Sequence, residues 1–546
     1  MATSTIHTGP MAPLLIAIFR WLWLAQLVSN VGSWMQSVGA QWMLVGSPHA
    51  ALLTSLVSAV SLLPVFLLSL PAGVLADSLD RRWLLVASNG FMGLAAGLLA
   101  VLTWTGQAGP VVILILTFAL GCGAAVGTPA WQAIQPDLVP RYLIPSAAAI
   151  SSANVNIARA VGPALAGALI AWAGPGLLFA INAASFLSVI AVLAAWRAAP
   201  KSRGSVGMGP AIASGLRYVR NAPGVRRIAL RAALFVIPGS ALWALLAVIA
   251  HGPMRQQSGG YGLMLAALGL GAVIGALVLP ALRGRYATNT LLVGGSVIYS
   301  AGMTAVALLR SLPLVLALLL ATGIGWVIVL SVLNAALMLT LPAWVRARSL
   351  AAYSIVFMGG QGIGAMIWGV VATPFGAVTT LSVASALVGI GSLTSVLWPL
   401  YKSTGTLDRQ VVSMPEAVPD DAVPPRAGPV LIQIAYQVLP GDSGAFERAA
   451  RALATSRRRT GAITWDLWQD VVNQSRYVEQ YTLSDWAEHL AQREERITGY
   501  DRELERQVLS FAQPNPAVGH LVRPEHMPRI DRGIAVADTQ NGGTAK

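Results

Sequence analysis

The sequence predicts an all-α membrane protein of twelve transmembrane helices in two six-helix repeats, followed by a small C-terminal α+β domain. Three observations lead to this fold class. Of the 546 residues, 55% are hydrophobic and 11% are charged, whereas about 25% are charged in soluble chains. Only three of the 22 acidic residues precede residue 401, namely Asp77, Asp80 and Asp137. Glycines also recur at a constant offset of 202 residues along this apolar part.

Twelve stretches are long and apolar enough to span a bilayer, which requires about 20 residues of helix. Polar residues or Pro/Gly breaks separate them from one another. The segment before the first stretch has no small-residue cleavage site, so we expect it to be retained. The predicted spans are 14–45, 51–75, 83–105, 109–133, 146–172, 174–196, 228–251, 260–282, 288–309, 312–337, 349–372 and 375–400.

The distribution of Lys and Arg predicts the orientation in the bacterial cytoplasmic membrane. With a cytoplasmic N-terminus, seventeen of these residues fall on the cytoplasmic side, and only Arg255 and Arg310 fall outside. Cytoplasmic loops are enriched in Lys and Arg, so both termini are predicted to be cytoplasmic. The formal charge of +14 then reflects topology, and no nucleic-acid partner is expected. With Cys122 as the single cysteine, no disulfide or cysteine metal site is predicted within one chain.

The offset of 202 residues relates spans two to six to spans eight to twelve. It places Gly167 on Gly369 and Gly174 on Gly376. A repeat of this length predicts two parallel six-helix bundles joined by a loop. The predicted domains of the membrane part are an N-terminal bundle at 1–196, a basic central loop at 197–227 and a second bundle at 228–402.

These repeats and several motifs resemble the major facilitator superfamily. The sequence "GVLADSLDRR" (73–82) is similar to its loop 2–3 motif, with departures at Ser78 and Asp80. The sequence "GPALAG" (162–167) resembles an element of the fifth helix in drug–proton antiporters. The stretch 127–167 resembles the branch that contains the enterobactin exporter and the transmembrane secretion effectors.

This resemblance implies the major facilitator fold and a secondary active transporter that works by alternating access. The branch favours an exporter of a small molecule such as a siderophore, a drug or another metabolite. No nucleotide-binding motif is present, so we expect an ion gradient to drive transport, with the proton as coupling ion. Neither enzymatic activity nor a cofactor is predicted. Two alternatives remain: an importer, and a membrane-anchored enzyme or sensor acting through the C-terminal domain.

A charge near mid-membrane marks the candidate substrate cavity. Arg159 lies about thirteen residues from either end of its predicted span. A central arginine costs ~2.5–3.5 kcal/mol to insert, so it should face a bundle interior or a wet cavity. It either presents a cation to an anionic substrate or a coupling relay, or is a structural residue satisfied by backbone carbonyls.

Amide side chains complete the predicted cavity. Each of them has an alternative role as a hydrogen bond between helices. Two occupy the repeat positions of other candidates: Asn334 corresponds to Gln132, and Gln361 to Arg159. The remaining amides are Gln26 and Asn30 in the first span and Asn156 in the fifth.

Two further groups of residues are predicted to shape the transport cycle. Pro163 loosens the fifth helix, while Gly162 and Gly167 permit close packing, expected across the interface between the halves. A second group lies at the cytoplasmic helix ends. The resemblance implies that it forms an ion-pair latch, the alternative being solvated charges. Its members are Asp77, Arg81, Arg82 and Asp137. We expect His251, near the outer end of the seventh span, to be exposed rather than to carry a proton.

The chain after the second bundle reads as a linker at 403–428, an α+β domain at 429–512 and a disordered tail at 513–546. The order βαββα predicts a ferredoxin-like domain. It resembles the dimeric barrel of antibiotic-biosynthesis monooxygenases, which makes it a candidate for dimerisation. Arg457–Arg459 either contact an anion or a lipid headgroup, or are solvated at a helix end. The expected partners are therefore a small-molecule substrate, membrane lipid and a coupling ion.

Overall fold

A computed structural model of the chain describes residues 11–196, 220–341, 346–400, 423–512 and 516–526. These residues belong to two compact units. The membrane unit contains the apolar helices up to residue 400, and the described part of the C-terminal domain starts at residue 423. Much of the predicted central loop (197–219), linker (403–422) and tail (527–546) lies outside the described residues.

The described part of the membrane unit contains twelve helices of 21 to 30 residues. Eleven of them, all except the first, are long and apolar enough to cross a membrane. The predicted start of the seventh span at residue 228 is five residues late. The helices are α1 Ala17–Leu44, α2 Ala50–Ser78, α3 Arg81–Trp104, α4 Pro110–Leu138, α5 Ile144–Ala173, α6 Pro175–Ala195, α7 Pro223–His251, α8 Ser258–Arg285, α9 Thr288–Leu308, α10 Leu312–Thr340, α11 Arg346–Phe375 and α12 Ala377–Leu397.

The first helix has lower hydropathy because it directs polar side chains at its neighbours. It packs on α5 and α6. Ser29, Gln36 and Gln41 are buried, and the Oε1 atom of Gln36 accepts a hydrogen bond from Asn182 of α6. Nε2 of Gln36 is buried without a partner among the described residues, while Gln41 donates to Ser58 of α2 at 3.1 Å. The polar side of α1 thus faces the bundle, so α1 needs no apolar surface on every side.

The two halves of the membrane unit repeat in helix length as well as in sequence. The bounds of α4, α5 and α6 differ from those of α10, α11 and α12 by 202 residues at both ends. The turn before α6 and the turn before α12 each contain a glycine with left-handed backbone, Gly174 (φ 76°) and Gly376 (φ 80°). A side chain would strain this conformation, which explains the matching glycines.

The halves contact each other chiefly along two helix pairs, α2 with α11 and α5 with α8, and α2 also contacts α7. The backbones approach closely at small residues. A Cβ atom placed on Gly369 of α11 would lie 2.5 Å from the Cβ of Ser55 on α2. One placed on Gly269 of α8 would lie 2.7 Å from the Cα of Ala160 on α5. The interface between the halves therefore depends on small residues, as is usual in membranes.

The C-terminal domain is an antiparallel four-stranded sheet with helices. Its strands are β1 Val430–Gln437, β2 Thr464–Gln469, β3 Arg476–Leu483 and β4 Ala517–Val522, in the spatial order β2-β3-β1-β4. Its helices are α13 Ser443–Thr460, α14 Trp486–Ala491, followed by a π-helical turn, and α15 Gly499–Leu509. The alternating residues of β1 and β3 that are buried pack in one core with Phe446 of α13 and Trp486 of α14.

Residues outside the predicted bounds of 429–512 pack on this domain at both ends. Val423 and Ala427 belong to the buried core, so the last part of the predicted linker is part of the domain. The strand β4 pairs with β1 over six residues, so residues 517–522 of the predicted tail are ordered. The sequence before β4 is rich in proline, and a short edge strand that pairs with a distant partner leaves little local signal.

Candidate functional site

Arg159 of α5 lies next to an aromatic ring of α1. Its guanidinium carbon is 5.6 Å from the centroid of the Trp34 ring. The side chain is half-buried, and its Nε atom is buried without a hydrogen-bond partner among the described residues. Contact with a tryptophan face stabilises a cation by about 0.5–2 kcal/mol but accepts none of its N–H groups, so Arg159 retains donors for another group.

Close packing of three helices fixes the position of Arg159. A Cβ atom placed on Gly162 would lie 2.6 Å from the Cβ of Trp34, so α5 lies directly against α1. On its other side, a Cβ atom placed on Gly269 of α8 would lie 2.7 Å from the carbonyl oxygen of Arg159. The backbone of Arg159 is therefore at the crossing of α5 and α8, where the two halves meet.

A row of aromatic rings runs from Trp34 into the second half. The Trp34 and Trp243 (α7) ring centroids are 6.1 Å apart, and Trp243 is 5.9 Å from Trp326 (α10). Trp326 is in turn 6.3 Å from Phe357 (α11). The sequence did not predict the three rings of the second half, because none of them lies 202 residues from Trp34 in the repeat. Together these rings can hold a planar apolar group.

Two predicted cavity amides of α1 are hydrogen-bonded, and one of them, Asn30, connects α1 to α5. Gln26 donates to Asn30 at 3.1 Å, and Asn30 donates to Asn154 of α5 at 3.0 Å. Asn154 completes the network by donating to the carbonyl of Trp23 at 2.9 Å. Each such bond contributes about 0.6 kcal/mol in a membrane. Asn30 therefore makes a hydrogen bond between helices in this conformation, and Gln26 supports it from the same helix. The place of both residues in a substrate cavity stays a prediction.

The other predicted amides have no contact with Arg159 among the described hydrogen bonds. Asn156 donates to the carbonyl of Ser152 on its own helix at 3.0 Å. Gln132 and Asn334 are exposed and Gln361 is half-buried. Their place in a substrate cavity stays a prediction.

The three packing residues of α5 contact two different helices. Gly162 lies against α1 of the same half, as described above. Gly167 lies against α8 of the other half, where an added Cβ atom would be 2.7 Å from the carbonyl of Ser258. Pro163 remains inside the continuous helix α5, and its carbonyl oxygen would be 2.6 Å from a Cβ atom on Gly262 of α8. Only part of this element therefore packs across the interface between halves.

The predicted latch residues form one described ion pair. Nη1 of Arg81 lies 3.4 Å from Oδ2 of Asp137, with both side chains partly exposed. Exposed pairs contribute about 0–1 kcal/mol. Asp77 lies in the last turn of α2, but its side chain is outside the described part of the structure. The latch therefore stays a prediction.

Arg82, the fourth latch residue, donates to the end of a helix. Its Nε and Nη2 atoms lie 2.7 Å and 2.8 Å from the carbonyl oxygens of Leu193 and Ala194 at the end of α6. In the second half, Nη2 of Arg231 lies 2.8 Å from the carbonyl of Thr394 near the end of α12. A cation at a helix C-terminus offsets the negative end of the helix dipole, so both arginines stabilise helix ends.

Side chains from both halves meet where α1 leads into α2 and α7 leads into α8. Tyr261 donates to Oε1 of Gln41 at 2.5 Å, and Trp42 stacks on Tyr261 with centroids 5.8 Å apart. His251, the last residue of α7, is exposed and lies edge-on to Trp42 at 5.5 Å. These contacts between α1, α7 and α8 join the halves at what we call the closed end.

The C-terminal domain buries Arg457 and Arg459 in ion pairs, so both interpretations of Arg457–Arg459 are wrong for these two residues. Arg457, 4% exposed, donates to Glu479 at 3.2 Å and to Glu505 at 3.0 Å. Arg459 pairs with Asp501. These carboxylates lie on β3 and α15, far from the arginines in sequence. Among the described residues of both units, no three His, Cys, Asp or Glu side chains are grouped to hold a metal ion.

Solved structures of membrane transporters share the fold of the membrane unit. A bacterial homologue of the human lysosomal transporter Spinster, inward-facing and unoccupied, matches with a TM-score of 0.54 and 16% identity, over 70% of this chain and 98% of that chain. The nucleoside transporter NupG matches with a TM-score of 0.56 and 13% identity, over 71% of this chain and 100% of that chain. At these identities the likeness shows the fold alone, that of a multi-helix membrane transporter.

The chain belongs to the transmembrane secretion effector family of major facilitator transporters, whose family model matches residues 8–528. It is thus a multi-pass bacterial membrane protein, and the predicted resemblance is confirmed. It is similar to the multidrug efflux pump Tap of Mycolicibacterium fortuitum, with 24% identity over 69% of this chain and 94% of the relative.

Two siderophore transporters are also similar to this chain. The staphyloferrin A transporter of Staphylococcus aureus is 27% identical over 48% of this chain and 66% of the relative. The enterobactin exporter EntS of Shigella boydii is 26% identical over 47% of this chain and 62% of the relative. The match spans just under two thirds of both of these relatives.

Proposed function

We propose that this protein is a secondary active exporter of a small molecule, driven by an ion gradient and working by alternating access. Family membership and the names of the efflux pump and siderophore transporters support this proposal. The proposed location of the substrate site rests on Arg159, which lies where the two halves meet and has an unpaired Nε donor. Alternating access requires the substrate site to lie where both halves contribute contacts, and Arg159 lies there.

The proposed topology has twelve spans with both termini in the cytoplasm. The 28-residue helix α1 would be about 42 Å long, enough to cross, and its polar residues Ser29, Gln36 and Gln41 are buried inside the bundle. The bias of Lys and Arg supports the orientation. The closed end then faces outward, and the opposite end is where the cytoplasmic substrate enters.

The conformational latch remains part of this proposal, supported by the Arg81–Asp137 pair. If Asp77 helps to hold the cytoplasmic end, Asp77→Asn should lower flux per folded protein while leaving expression unchanged. Flux equal to the unmodified protein would remove Asp77 from the latch.

For the C-terminal domain we propose a ferredoxin-like fold and a dimer. The order βαββαβ and the antiparallel strand order β2-β3-β1-β4 support the fold. On the sheet face opposite the buried residues, Trp468 is 58% exposed and Leu521 is 48% exposed. Exposed apolar side chains on one face favour burial against a second copy. Light scattering of the domain at rising concentration tests the dimer, and a monomer throughout would reject it.

The export proposal is tested with everted membrane vesicles from cells that express the full chain. A proton gradient, acidic inside, should drive accumulation of an exported substrate, and collapsing the gradient should release it. Accumulation only in right-side-out vesicles would show an importer instead. A chain that ends at residue 402 distinguishes a transporter from a membrane-anchored enzyme or sensor. A transporter retains flux without the C-terminal domain, whereas a membrane-anchored enzyme loses all activity.

A further inference from the structure

Arg159 differs from two other helix arginines of the membrane unit in what surrounds its guanidinium group. Arg82 and Arg231 donate to carbonyl oxygens at helix ends. Among the described residues Arg159 donates no hydrogen bond from any of its nitrogens, whereas Arg231 donates from both of its terminal nitrogens. The Nε atoms of Arg159 and Arg231 are both buried without an acceptor. The sequence has no Asp or Glu between residues 138 and 400. Since a charge in the membrane interior requires a partner, we expect a ligand to supply the counter-charge.

The atom left unpaired points to the shape of that ligand. A guanidinium group binds a planar oxyanion through two parallel N–H···O bonds. Nε provides one of these donors and a terminal nitrogen on the same edge provides the other, which together match the two oxygens of a carboxylate. A point charge such as halide would use only one of them.

The aromatic rings next to Arg159 supply the second contact. Trp34 and Trp243 are half-buried, whereas Trp326 behind Trp243 is 3% exposed. Phe357 at the far end of the row is half-buried as well. The two partly accessible rings nearest Arg159 are therefore Trp34 from the first half and Trp243 from the second, at the point where the substrate would lie between the halves. Aromatic rings bind other rings by offset stacking or edge-to-face contact.

Resting on the proposed function, we infer that the substrate is an aromatic carboxylate. Its carboxylate accepts from Nε and a terminal nitrogen of Arg159, and its ring contacts Trp34 and Trp243. A substrate that contacts Arg159 on α5 and Trp243 on α7 bridges the halves, so its binding affects the contacts of both halves.

Three probes of similar size test this assignment on the full chain in detergent, by isothermal titration calorimetry without any gradient. They are 2-naphthoate, the saturated decalin-2-carboxylate and the cation naphthalen-2-ylmethylammonium. We expect 2-naphthoate to bind about 2- to 12-fold more tightly than the saturated acid because only its ring stacks. The cation should show no saturable binding. Equal affinity of the two acids would overturn the aromatic part, and tighter binding of the cation would overturn the anionic part.

Variants then locate the site. Arg159→Gln should weaken 2-naphthoate binding by about 10- to 100-fold, since it removes charge-assisted hydrogen bonds. The affinity of Arg159→Lys for 2-naphthoate should lie between those of the unmodified protein and Arg159→Gln, because lysine retains the charge and loses the planar fork. The matched control is Arg310→Gln, which removes a charge at the closed end where Arg310 donates to the carbonyl of Ala307 at 2.8 Å. Unchanged affinity in Arg159→Gln, or equal losses in Arg310→Gln, would overturn the assignment.

Trp34→Leu keeps the test decisive if Arg159→Gln does not fold. It should reduce the preference for 2-naphthoate over the saturated acid, and an unchanged preference would contradict the proposed ring contact. These experiments can reject the export proposal and the proposed substrate class independently of each other. Gradient-driven efflux of a cationic drug without 2-naphthoate binding would reject the substrate class alone. Arg159-dependent binding with no flux under any gradient would reject export alone.

Discussion

Arg159 and Arg457 show two ways in which this protein holds an arginine away from water. Arg457 in the C-terminal domain is 4% exposed and shares its donors between Glu479 and Glu505. Arg159 in the membrane unit has the Trp34 face and an unpaired Nε. A buried charge that is paired within the chain is part of the fold, because removing one partner leaves the other uncompensated. A charge without a partner contributes little to the fold and is available to a ligand.

The paired arginine belongs to a C-terminal domain that we expect to be stable by itself. Residues 423–526 should be soluble and unfold cooperatively in urea, because they contain Val423, Ala427 and β4. Residues 429–512 lack these core residues and the β4 pairing with β1, so we expect them to lose cooperative unfolding. Circular dichroism and urea titration measure both. Equal stability of the two fragments would mean that β4 contributes nothing to the domain.

The second prediction concerns the paired arginine, in the fragment 423–526. Arg457→Met should destabilise it by about 3–5 kcal/mol, because Glu479 and Glu505 are left near each other without their cation. Arg451→Met is the control. Arg451 is exposed and pairs with Glu447 one helical turn away, a contact worth about 0.3–0.5 kcal/mol. Urea unfolding of both variants measures the difference, and similar losses would contradict a structural role for the buried pair.

The apolar helices and their repeat could be predicted because their signals are local. Length of apolar sequence and the spacing of residues such as Gly174 and Gly376 mark helix ends without knowledge of the fold. The partners of Arg457 could not be predicted, because Glu479 and Glu505 are 22 and 48 residues away. Their meeting depends on strand order and helix packing.

The candidate site was predicted in part for the same reason. The mid-span position of Arg159 is visible in sequence, since arginine is rare in such segments. The hydrogen bond between Asn30 and Asn154 joins residues 124 positions apart, so the sequence could not show that Asn30 bonds to α5. Trp243 was missed because nothing in the apolar sequence of α7 distinguishes a ring at the interface between halves from one facing lipid.

The third prediction uses the ring beside the paired arginine, again in the fragment 423–526. Burial raises the pKa of Tyr481 from 10.0 to about 12, although Arg457 lowers it in part. A raised pKa means that the unfolded chain ionises first, so stability is unaffected below pH 10 and falls as the pH rises from 10 to 12. The loss from Tyr481 should be about 1.4 kcal/mol at pH 11.

Urea unfolding at pH 8 and pH 11 measures this loss. Tyr481→Phe cannot ionise, so it should lose less stability than the unmodified fragment between the two pH values. An identical loss in both would show that the pKa of Tyr481 is the same in the folded and the unfolded state.

The smallest expected change in stability belongs to the unpaired arginine. Arg159→Met should lower the free energy of unfolding of the full chain in detergent by less than about 1 kcal/mol, or raise it, because the cost of a central charge disappears. The melting temperature should therefore stay nearly the same or rise. Arg231→Met is the comparison. It removes donors from the carbonyls at the end of α12, so it should lower the melting temperature clearly. A larger loss for Arg159→Met would make Arg159 structural and remove the basis for an anionic substrate.

The matching bounds of α4–α6 and α10–α12 constrain which insertions and deletions the chain can accept. Gly174 is the sole residue between α5 and α6, and Gly376 is the sole residue between α11 and α12. Such a turn transmits the rotational phase of one helix to the next. One residue added to α5 between Arg159 and Gly174 would rotate α6 by about 100° relative to Arg159, moving Asn182 away from Gln36. Length variation should therefore be tolerated in the long connection between bundles and excluded from these helix pairs.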